Sequence, residues 1–311
     1  CSRSITFNPY RRGQSVLQMM DAGRGWISDD GFKSWHYALG ETGPWCGGIA
    51  AAFSSDGGIY LATGQNGRNN GITFSHDGGR TWCSRFGKNY GLPEFADGSY
   101  LGIWVDSNDK RKAFAVNGNS RYTTNDGGAT WNREELVQSG EFSVDPVDPT
   151  RFYLKNAEGV FETRDWKTFR FLGLKGESEG KIVCDALGRV LVCRGRIGDL
   201  DRRGLGRFDP RTGNWEHLHR EALVCAVASD PKDPARLVLT TSDNPYHDFA
   251  GARGIYVSSD DGKTWHPANK GLHIRRLGCV AFDPFDGETI VAGTLGGGFV
   301  TAKWKRDKAC K

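Results

Sequence analysis

A turn motif of eight residues recurs along the chain, and this repeat constrains the fold more strongly than any other feature of the sequence. Residues 75–82 read Ser-His-Asp-Gly-Gly-Arg-Thr-Trp, and residues 124–131 and 258–265 repeat the pattern of hydroxyl, aspartate, glycine, threonine and tryptophan in the same register. Short aspartate and serine side chains cap the backbone of turns, glycine adopts positive φ there, and the Thr-Trp pair begins the next strand. We call this motif the aspartate turn.

Weaker copies of the aspartate turn begin at Ser28 and Thr163, and a degenerate copy begins at Asp209. The motif aspartates stand 39 to 51 residues apart, at Asp30, Asp77, Asp126, Asp165, Asp209 and Asp260. A period of about 40–50 residues with four short strands per repeat is typical of a β-propeller. Because the mean spacing is about 46 residues, the 311 residues accommodate seven repeats.

The repeat predicts an all-β fold, in which residues 1–311 form a single domain that is a seven-bladed β-propeller. The predicted blades span residues 4–39, 47–86, 101–136, 140–174, 178–219, 223–272 and 277–304. The last blade has no aspartate turn and lacks its outer strand. We expect residues 1–3 to complete it, so that the ring closes near the chain termini. Strands within a blade alternate in direction, so the aspartate turns lie on one face and the loops between second and third strands on the other.

Three further turns, at residues 145–149, 230–234 and 283–286, begin with Asp-Pro and continue to a second aspartate. We call them Asp-Pro turns. The aspartate turns resemble those of the Asp-box (bacterial neuraminidase repeat) propellers, which include sialidases, xyloglucanases and sortilin-type receptors, and the Asp-Pro turns resemble the xyloglucanase and sortilin branch. The resemblance implies a secreted, carbohydrate-active propeller whose active site lies opposite the aspartate turns. Sialidases carry Arg-Ile-Pro near the N-terminus, and this chain does not.

The eight cysteines are even in number and form no Cys-x-x-Cys pair, which argues against a zinc site. We interpret them as four disulfides in an oxidising, secreted setting; the alternative is buried thiols in a cytosolic protein. Judged from sequence neighbourhood alone, the expected pairs are Cys46–Cys83, Cys184–Cys193, Cys225–Cys279 and Cys1–Cys310.

Charge and composition exclude several function classes. The net charge of +4, from 41 basic and 37 acidic residues, is too small for the strongly basic face of a nucleic-acid-binding protein. No apolar run approaches the ~18 residues of a membrane span, and no glycine loop for phosphate is present. No metal-ligand spacing stands out, so we expect no cofactor, although carbonyl and aspartate oxygens would suffice for a structural calcium. We expect a monomer.

Loops on the face opposite the aspartate turns, together with the connection into the last blade, are rich in arginine. The expected substrate-binding residues are Arg24, Arg68, Arg121, Arg194, Arg196, Arg253 and Arg275, with Trp45 as a stacking group. The planar guanidinium fork suits carboxylates, so we expect the partner to be an acidic, uronate-containing polysaccharide or oligosaccharide. The alternative is that arginine–aspartate pairs order these loops.

Four residues on the same face are candidates for catalysis: Tyr246, His247, His273 and Asp21. The favoured reaction is cleavage of the glycosidic bond by β-elimination, as in a polysaccharide lyase. Arginine would neutralise the C5 carboxylate of the uronate, and histidine and tyrosine would serve as base and acid.

A glycoside hydrolase that uses paired carboxylates is the first alternative. Residues 20–26 resemble the xyloglucanase segment Thr-Asp-x-Gly-Gly-Ala-Tyr, which implies that Asp21 is a catalytic carboxylate. Those enzymes place their second carboxylate on a second propeller. In this chain the candidate partners are Asp199, Asp201, Asp243 and Asp248. A non-catalytic propeller that binds a glycan or a protein is the second alternative.

Overall fold

The computed structural model describes residues 2–19, 25–38, 48–63, 71–86, 100–176, 180–194, 203–220, 223–242 and 252–304. These residues form strands and turns, and no helix is found among them. The strands build seven antiparallel sheets, each from strands that are consecutive in the sequence. We number these sheets as blades 1–7, and their positions agree with the seven predicted blades.

Blades 1 to 4 have four strands each. The strands of blade 1 are β1 (Ser2–Phe7), β2 (Ser15–Met19), β3 (Gly25–Ser28) and β4 (His36–Tyr37). Those of blade 2 are β5 (Gly48–Phe53), β6 (Ile59–Thr63), β7 (Gly71–Ser75) and β8 (Cys83–Phe86). Those of blade 3 are β9 (Tyr100–Val105), β10 (Ala113–Asn117), β11 (Ser120–Thr124) and β12 (Asn132–Glu135). Those of blade 4 are β13 (Glu141–Val144), β14 (Phe152–Asn156), β15 (Gly159–Thr163) and β16 (Arg170–Gly173).

Blades 5 and 6 also have four strands, whereas blade 7 has three among the described residues. The strands of blade 5 are β17 (Ile182–Cys184), β18 (Val190–Arg194), β19 (Gly204–Asp209) and β20 (Asn214–His219). Those of blade 6 are β21 (Val224–Asp230), β22 (Asp233–Thr241), β23 (Ile255–Ser258) and β24 (His266–Pro267). Those of blade 7 are β25 (Leu277–Phe282), β26 (Thr289–Thr294) and β27 (Phe299–Lys303).

The expectation that residues 1–3 complete blade 7 is wrong. β1 pairs with β2 as the first strand of blade 1, and Ser4 lies opposite Gln18 in that register. A hydrogen bond from Asn8 N to Gln14 O (2.9 Å) closes this local hairpin. Closing a short hairpin costs less chain entropy than pairing the two ends of the chain, which explains the choice of partner.

Antiparallel pairing sorts the connections of every blade onto two faces. Turns between the first and second strands and between the third and fourth strands lie at one end, which we call the turn face. Connections between the second and third strands lie at the other end, which we call the loop face, together with the connections from blade to blade. The aspartate turns and the Asp-Pro turns all fall on the turn face, as predicted.

One carboxylate organises each aspartate turn. Asp126 Oδ1 accepts hydrogen bonds from Thr130 N (2.9 Å) and Thr124 Oγ1 (2.7 Å), and Thr124 Oγ1 accepts one from Gly128 N (2.9 Å). Trp131 Nε1 then donates to Gly128 O (3.1 Å), which fixes the indole against the turn. The full copies at residues 75–82 and 258–265 have the same bonds.

The chain divides into two compact units, and each is described by itself. Unit 1 comprises Cys1–Val144 and Thr150–Ser178, and unit 2 comprises Asp145–Pro149 and Glu179–Lys311. Blades 1 to 4 belong to unit 1, and blades 5 to 7 belong to unit 2. The one exception is the turn Asp145–Pro149 of blade 4, which belongs to unit 2.

Within each unit the hydrophobic core lies between neighbouring blades, and the aspartate-turn tryptophans help to fill it. In unit 1, Trp82 packs with residues of blades 1 and 2, Trp131 with blades 2 and 3, and Trp166 with blades 3 and 4. In unit 2, Trp265 packs between blades 5 and 6 and donates from Nε1 to Leu218 O (2.8 Å). The tryptophan that the sequence marked as part of a turn is thus the contact that joins one blade to the preceding one.

The predicted disulfides among the described residues are wrong. Cys83, Cys184, Cys193, Cys225 and Cys279 are all thiols. In blade 5, Cys193 on β18 lies opposite Lys181, since Cys193 N donates to Lys181 O. Cys184 is three residues further along from Lys181. Because side chains alternate between the two faces of a sheet, Cys184 and Cys193 project from opposite faces.

In unit 2, Cys225 is a thiol whose Sγ lies 3.8 Å from Gly278 O, the carbonyl of the residue before Cys279. Cys1, Cys46 and Cys310 lie outside the described residues, so the pair Cys1–Cys310 stays a prediction.

Candidate functional site

The connections on the loop face differ greatly in length. Blades 3 and 4 have two-residue turns there, at residues 118–119 and 157–158, and blade 7 has four residues, 295–298. The corresponding connections of blades 1, 2, 5 and 6 are 5, 7, 9 and 13 residues long. Long connections on an otherwise regular scaffold are where binding and catalytic residues concentrate. The loop-face connections of each unit are therefore the candidate functional segments.

In unit 2, blade 6 fixes one predicted cation on this face. Arg253 N donates to Thr241 Oγ1 (2.8 Å), and Arg253 O accepts from Asn269 Nδ2 (2.9 Å). Gly254 has φ +88° and leaves no room for a side chain, because a Cβ there would overlap Asn269. These contacts hold the base of the 13-residue connection while the Arg253 side chain remains exposed.

The connection from blade 6 to blade 7 carries two more predicted residues. His273 and Arg275 are exposed, and neither side chain makes a hydrogen bond or ion pair with the residues that the structure describes. A hydrogen bond from Leu295 N to Arg276 O (2.9 Å) ties this connection to the loop-face turn of blade 7. Arg253 and Arg275, with His273 beside them in the sequence, are thus exposed in two successive loop-face connections of unit 2, and we call these three residues the exposed cationic edge after the two arginines.

Arg121 is not on a loop, because β11 begins at Ser120. Its guanidinium is paired with Glu134 on the neighbouring strand β12. It also lies over the rings of Phe114 (5.6 Å) and Trp166 (5.5 Å). These contacts join blade 3 to blade 4. Arg121 therefore fits the alternative interpretation, in which the arginines are paired with acidic residues and stabilise the structure.

Arg194 ends strand β18 and is buried, with only 6% of its surface exposed. Its Nη1 lies 2.9 Å from His217 Nδ1 on strand β20. Burial beside a histidine of the same blade indicates that Arg194 stabilises blade 5. The remaining predicted residues lie outside the described residues: Asp21, Arg24, Trp45, Arg68, Arg196, Tyr246 and His247.

An acidic and a basic residue on opposite positions of two strands in unit 1 were not among the predicted site residues. Glu141 begins strand β13 at its loop-face end and lies directly opposite Lys155 of β14. Lys155 is 2% exposed, and Glu141 is partly buried. Side chains directly opposite in an antiparallel pair lie on the same face of the sheet. A signal was present, since Glu141 is an acidic residue at the start of an otherwise uncharged strand.

A buried ionic network on the turn face of unit 2 also escaped the sequence analysis. Arg189 is bonded to Asp185 (2.7 Å) and to Asp261 (2.9 Å), and Asp261 also accepts from Arg207 (2.7 Å). Burial by itself would raise the pKa of Asp261, but the bonds from Arg189 and Arg207 outweigh burial and hold that pKa below its usual value. Because these four charged groups are paired with one another, this network joins blades 5 and 6 and is not proposed as a ligand site.

The described segments contain neither a cluster of metal ligands nor a membrane-spanning helix. No group of three or more histidine, cysteine, aspartate or glutamate residues in these segments could hold a metal ion. No helix long and apolar enough to cross a membrane occurs in them.

No protein-family model matches this chain, and no curated protein sequence matches it. Solved structures do match. The GH74 xyloglucanase from Xanthomonas campestris has a TM-score of 0.80 and 19% identity, over 100% of this chain and 53% of that chain. The GH74 enzyme from Niastella koreensis has a TM-score of 0.77 and 18% identity, over 99% of this chain and 53% of that chain. YCF48 bound to D1 peptide has a TM-score of 0.71 and 16% identity, over 98% of this chain and 93% of that chain.

These likenesses, together with the seven sheets, confirm the predicted fold. The chain is an all-β, seven-bladed β-propeller. It spans about half the length of the two GH74 enzymes and nearly the whole length of YCF48. At identities below 20%, the likeness shows the fold, and function has to be argued from the residues.

Proposed function

We propose that this propeller is carbohydrate-active and hydrolyses glycosidic bonds on its loop face. The observation that carries the proposal is the concentration of long connections on that face, with 5 to 13 residues in blades 1, 2, 5 and 6. Two glycoside hydrolases of the same fold, matched over the whole of this chain, support a glycan as the ligand.

Hydrolysis needs two carboxyl groups, about 5–5.5 Å apart for retention or about 6.5–9.5 Å apart for inversion. Asp21, in the loop-face connection of blade 1, is proposed as one of them. Its partner is proposed to come from the two longest connections. The candidates there are Asp199, Asp201, Asp243 and Asp248. One carboxyl would protonate the leaving oxygen while the other attacks the anomeric carbon or activates water.

A polysaccharide lyase is the second candidate, and the exposed cationic edge of unit 2 favours it. Arg253 and Arg275 are suited to a uronate carboxylate, and His273 is an acid–base group on the same face. Tyr246 and His247, in the connection of blade 6, complete this proposal. An acidic glycan would be bound by the same edge in either reaction.

A non-catalytic binding role is the third candidate. YCF48, whose structure has D1 peptide bound, is matched over 93% of its own length, so a propeller of this size alone can serve as a binding protein. The discriminating feature is turnover, because a binding propeller retains its ligand and releases no product.

Digestion of a panel of neutral and uronate-containing polysaccharides separates the three candidates. New reducing ends without ultraviolet absorbance support the hydrolase. Reducing ends together with the absorbance of an unsaturated uronate support the lyase instead. Retention on an immobilised polysaccharide without any product contradicts both enzymes. The matched control is xylan or glucan without acidic groups, tested at the same concentrations.

A further inference from the structure

On the loop face of unit 1, the connection from blade 3 to blade 4 is bonded to the ends of both blades. Ser139 Oγ, in this connection, donates to Asn119 Oδ1 (3.0 Å) in the turn of blade 3. Asn156, which ends β14 of blade 4, donates from Nδ2 to Gln138 Oε1 (2.9 Å) and to Ser139 O (2.7 Å). We call Asn119, Val137, Gln138 and Ser139 the amide patch.

Contacts with the backbone hold the amide patch in place. Leu136 is buried, and its N donates to Asn119 O (2.8 Å). Asn156 Oδ1 accepts from a backbone N–H of the adjoining turn (2.8 Å), so both ends of that amide are bonded within the protein. A Cβ at Gly140 would overlap Lys155 O, so the end of the connection lies directly against β14. The amide patch is therefore a fixed part of the scaffold.

The NH₂ groups of Asn119 and Gln138 are unused donors. The side-chain oxygen of each amide accepts a bond from a neighbour, which leaves the nitrogen of the same amide pointing away from that bond. Neither nitrogen donates to any residue that the structure describes. Asn119 is exposed and Gln138 is partly buried. Because an amide NH₂ group can only donate, the complement of these groups is a ligand atom that accepts hydrogen bonds.

Val137 gives the amide patch an apolar part. It directly precedes Gln138 in the sequence, and 77% of its surface is exposed. Its neighbour Leu136 is buried and fixes the backbone at this point, so the isopropyl group of Val137 is presented to the outside. Covering that group with a methyl group of a ligand would remove apolar surface from water, which is favourable.

Charges at this end of blades 3 and 4 disfavour an anionic ligand. Arg121 is paired with Glu134, and Lys175 Nζ lies 3.9 Å from Glu158 Oε2, so both cations already have a carboxylate partner. Glu135, the last residue of β12, is exposed and has no basic partner among the described residues. A ligand carboxylate would meet like charge here. The complement of the amide patch is therefore a neutral group with an acceptor oxygen and an apolar part.

We propose that the amide patch binds the acetamido group of an N-acetylated amino sugar. The acetamido carbonyl would accept hydrogen bonds from Asn119 Nδ2 and Gln138 Nε2, and the methyl group would pack on Val137. The acetamido N–H would donate to Ser139 Oγ, whose own hydrogen is donated to Asn119. This inference rests on the proposed glycan-binding function of the loop face and names the class of sugar that unit 1 contacts.

Calorimetric titration with two tetrasaccharides tests the proposal. Chitotetraose and cellotetraose have the same β-1,4-linked backbone, but only chitotetraose has an acetamido group at C2 of each sugar. We expect saturable binding of chitotetraose to the 311-residue chain. Cellotetraose is expected to bind at least about tenfold more weakly, because it lacks both the carbonyl acceptor and the methyl group.

Two isosteric variants remove the donors without removing the local bonds. Asn119→Asp and Gln138→Glu keep the oxygens that accept from Ser139 and Asn156, and they replace each NH₂ group by a carboxylate oxygen. Each variant is expected to weaken chitotetraose binding by about tenfold, because donors to the acetamido carbonyl are lost. The unfolding midpoints are expected to stay near that of the parent.

Exposed residues on the turn face serve as matched controls. Asn132→Asp makes the same chemical change at an exposed amide of blade 3, where β12 begins, and should bind chitotetraose like the parent. Val137→Ser is expected to weaken binding several-fold through the lost methyl contact. Val147→Ser, at a valine that is 67% exposed on the turn face, should leave the affinity unchanged.

Three results would overturn the proposal: equal affinity for the two tetrasaccharides, no saturable binding of chitotetraose up to about 10 mM, or parent-like affinity of both isosteric variants. The same mixtures are analysed for new reducing ends, which tests the proposed hydrolase separately. Binding of chitotetraose without any product supports the amide patch and counts against hydrolysis of this glycan. Cleavage of another polysaccharide without binding of chitotetraose would overturn the amide patch and leave the proposed hydrolase standing.

Discussion

At the scale of single residues, the aspartate turns show how a short side chain determines local structure. The Thr130 hydroxyl and amide and the Thr124 hydroxyl donate to Asp126, and these bonds lower the pKa of its carboxyl group to about 2. Asp260 has the same partners in its own turn, and its pKa is likewise about 2. Asp126 is exposed and Asp260 is only partly buried, and burial would raise the pKa, so hydrogen bonding is the cause of the lowered value.

These shifted carboxylates predict loss of stability in acid. Because the folded pKa lies below the unfolded value of about 3.9, the folded state binds protons more weakly than the unfolded state. The stabilisation is complete above about pH 4 and declines as the pH falls toward 2. Urea midpoints measured between pH 7 and pH 2.5 should fall steeply only below about pH 4. A midpoint that stays constant through this range would contradict the assignment.

Gly128 is a second residue with a local conformational requirement. It has φ +91°, and a Cβ there would lie 2.9 Å from the ring of Phe74. Gly128→Ala is expected to lower the free energy of unfolding by about 1–3 kcal/mol, because backbone strain and crowding add. Gly118→Ala is the matched control, since Gly118 also has positive φ (+50°) but nothing within 4 Å of the added carbon. Equal losses for the two variants, measured by urea denaturation, would show that crowding at Phe74 is unimportant.

At the scale of elements, tryptophans of the aspartate turns pack between neighbouring blades of the same unit. Trp131 is 8% exposed between blades 2 and 3, whereas Trp35, at the corresponding position of the weaker copy in blade 1, is 36% exposed. The weaker copy has Phe32 in place of glycine, and Phe32 is forced to a φ of 75°. Of these two turns, the one with glycine has the more buried tryptophan.

The two tryptophans predict different costs of truncation. Trp131→Ala should lower the free energy of unfolding by about 3–5 kcal/mol, as is usual for a buried aromatic side chain. Trp35→Ala should lower it by less than about 1 kcal/mol, because the side chain is partly exposed already. Both values come from urea denaturation followed by circular dichroism. A Trp35→Ala loss as large as that of Trp131→Ala would contradict this account of the interface.

The repeat predicted the blades because each aspartate turn is a local structure, specified by residues within eight positions of one another. Interactions between distant residues could not be predicted in this way. Arg189 and Asp261 are 72 positions apart, and the sequence around each residue does not indicate that the two side chains form an ion pair. Arg194 was predicted to lie in the loop between the second and third strands of blade 5, yet strand β18 extends through it and buries it. Cysteine spacing failed for a related reason, because it does not reveal which face of a sheet a side chain occupies.

At the scale of the whole molecule, the turn face and the loop face carry different kinds of residues. The turn face carries the repeated, saturated turns and the ionic network of unit 2, all of which stabilise the blades. The loop face carries connections of unequal length and the exposed residues Arg253, His273 and Arg275. A propeller can change its ligand by changing these connections while the blades remain the same, which is why the fold alone does not specify the substrate.

Turnover by Asp21→Asn tests most directly whether the chemistry lies on the loop face. The substrate is the polysaccharide that the parent protein cleaves best, and the initial rate is measured beside two controls. Lys263→Ala changes an exposed residue of an aspartate turn and should leave kcat and KM unchanged. Arg275→Ala should raise KM on an acidic substrate. We predict that Asp21→Asn lowers kcat by at least about 100-fold with an unchanged unfolding midpoint. Full turnover by Asp21→Asn, or a comparable loss in Lys263→Ala, would contradict the account.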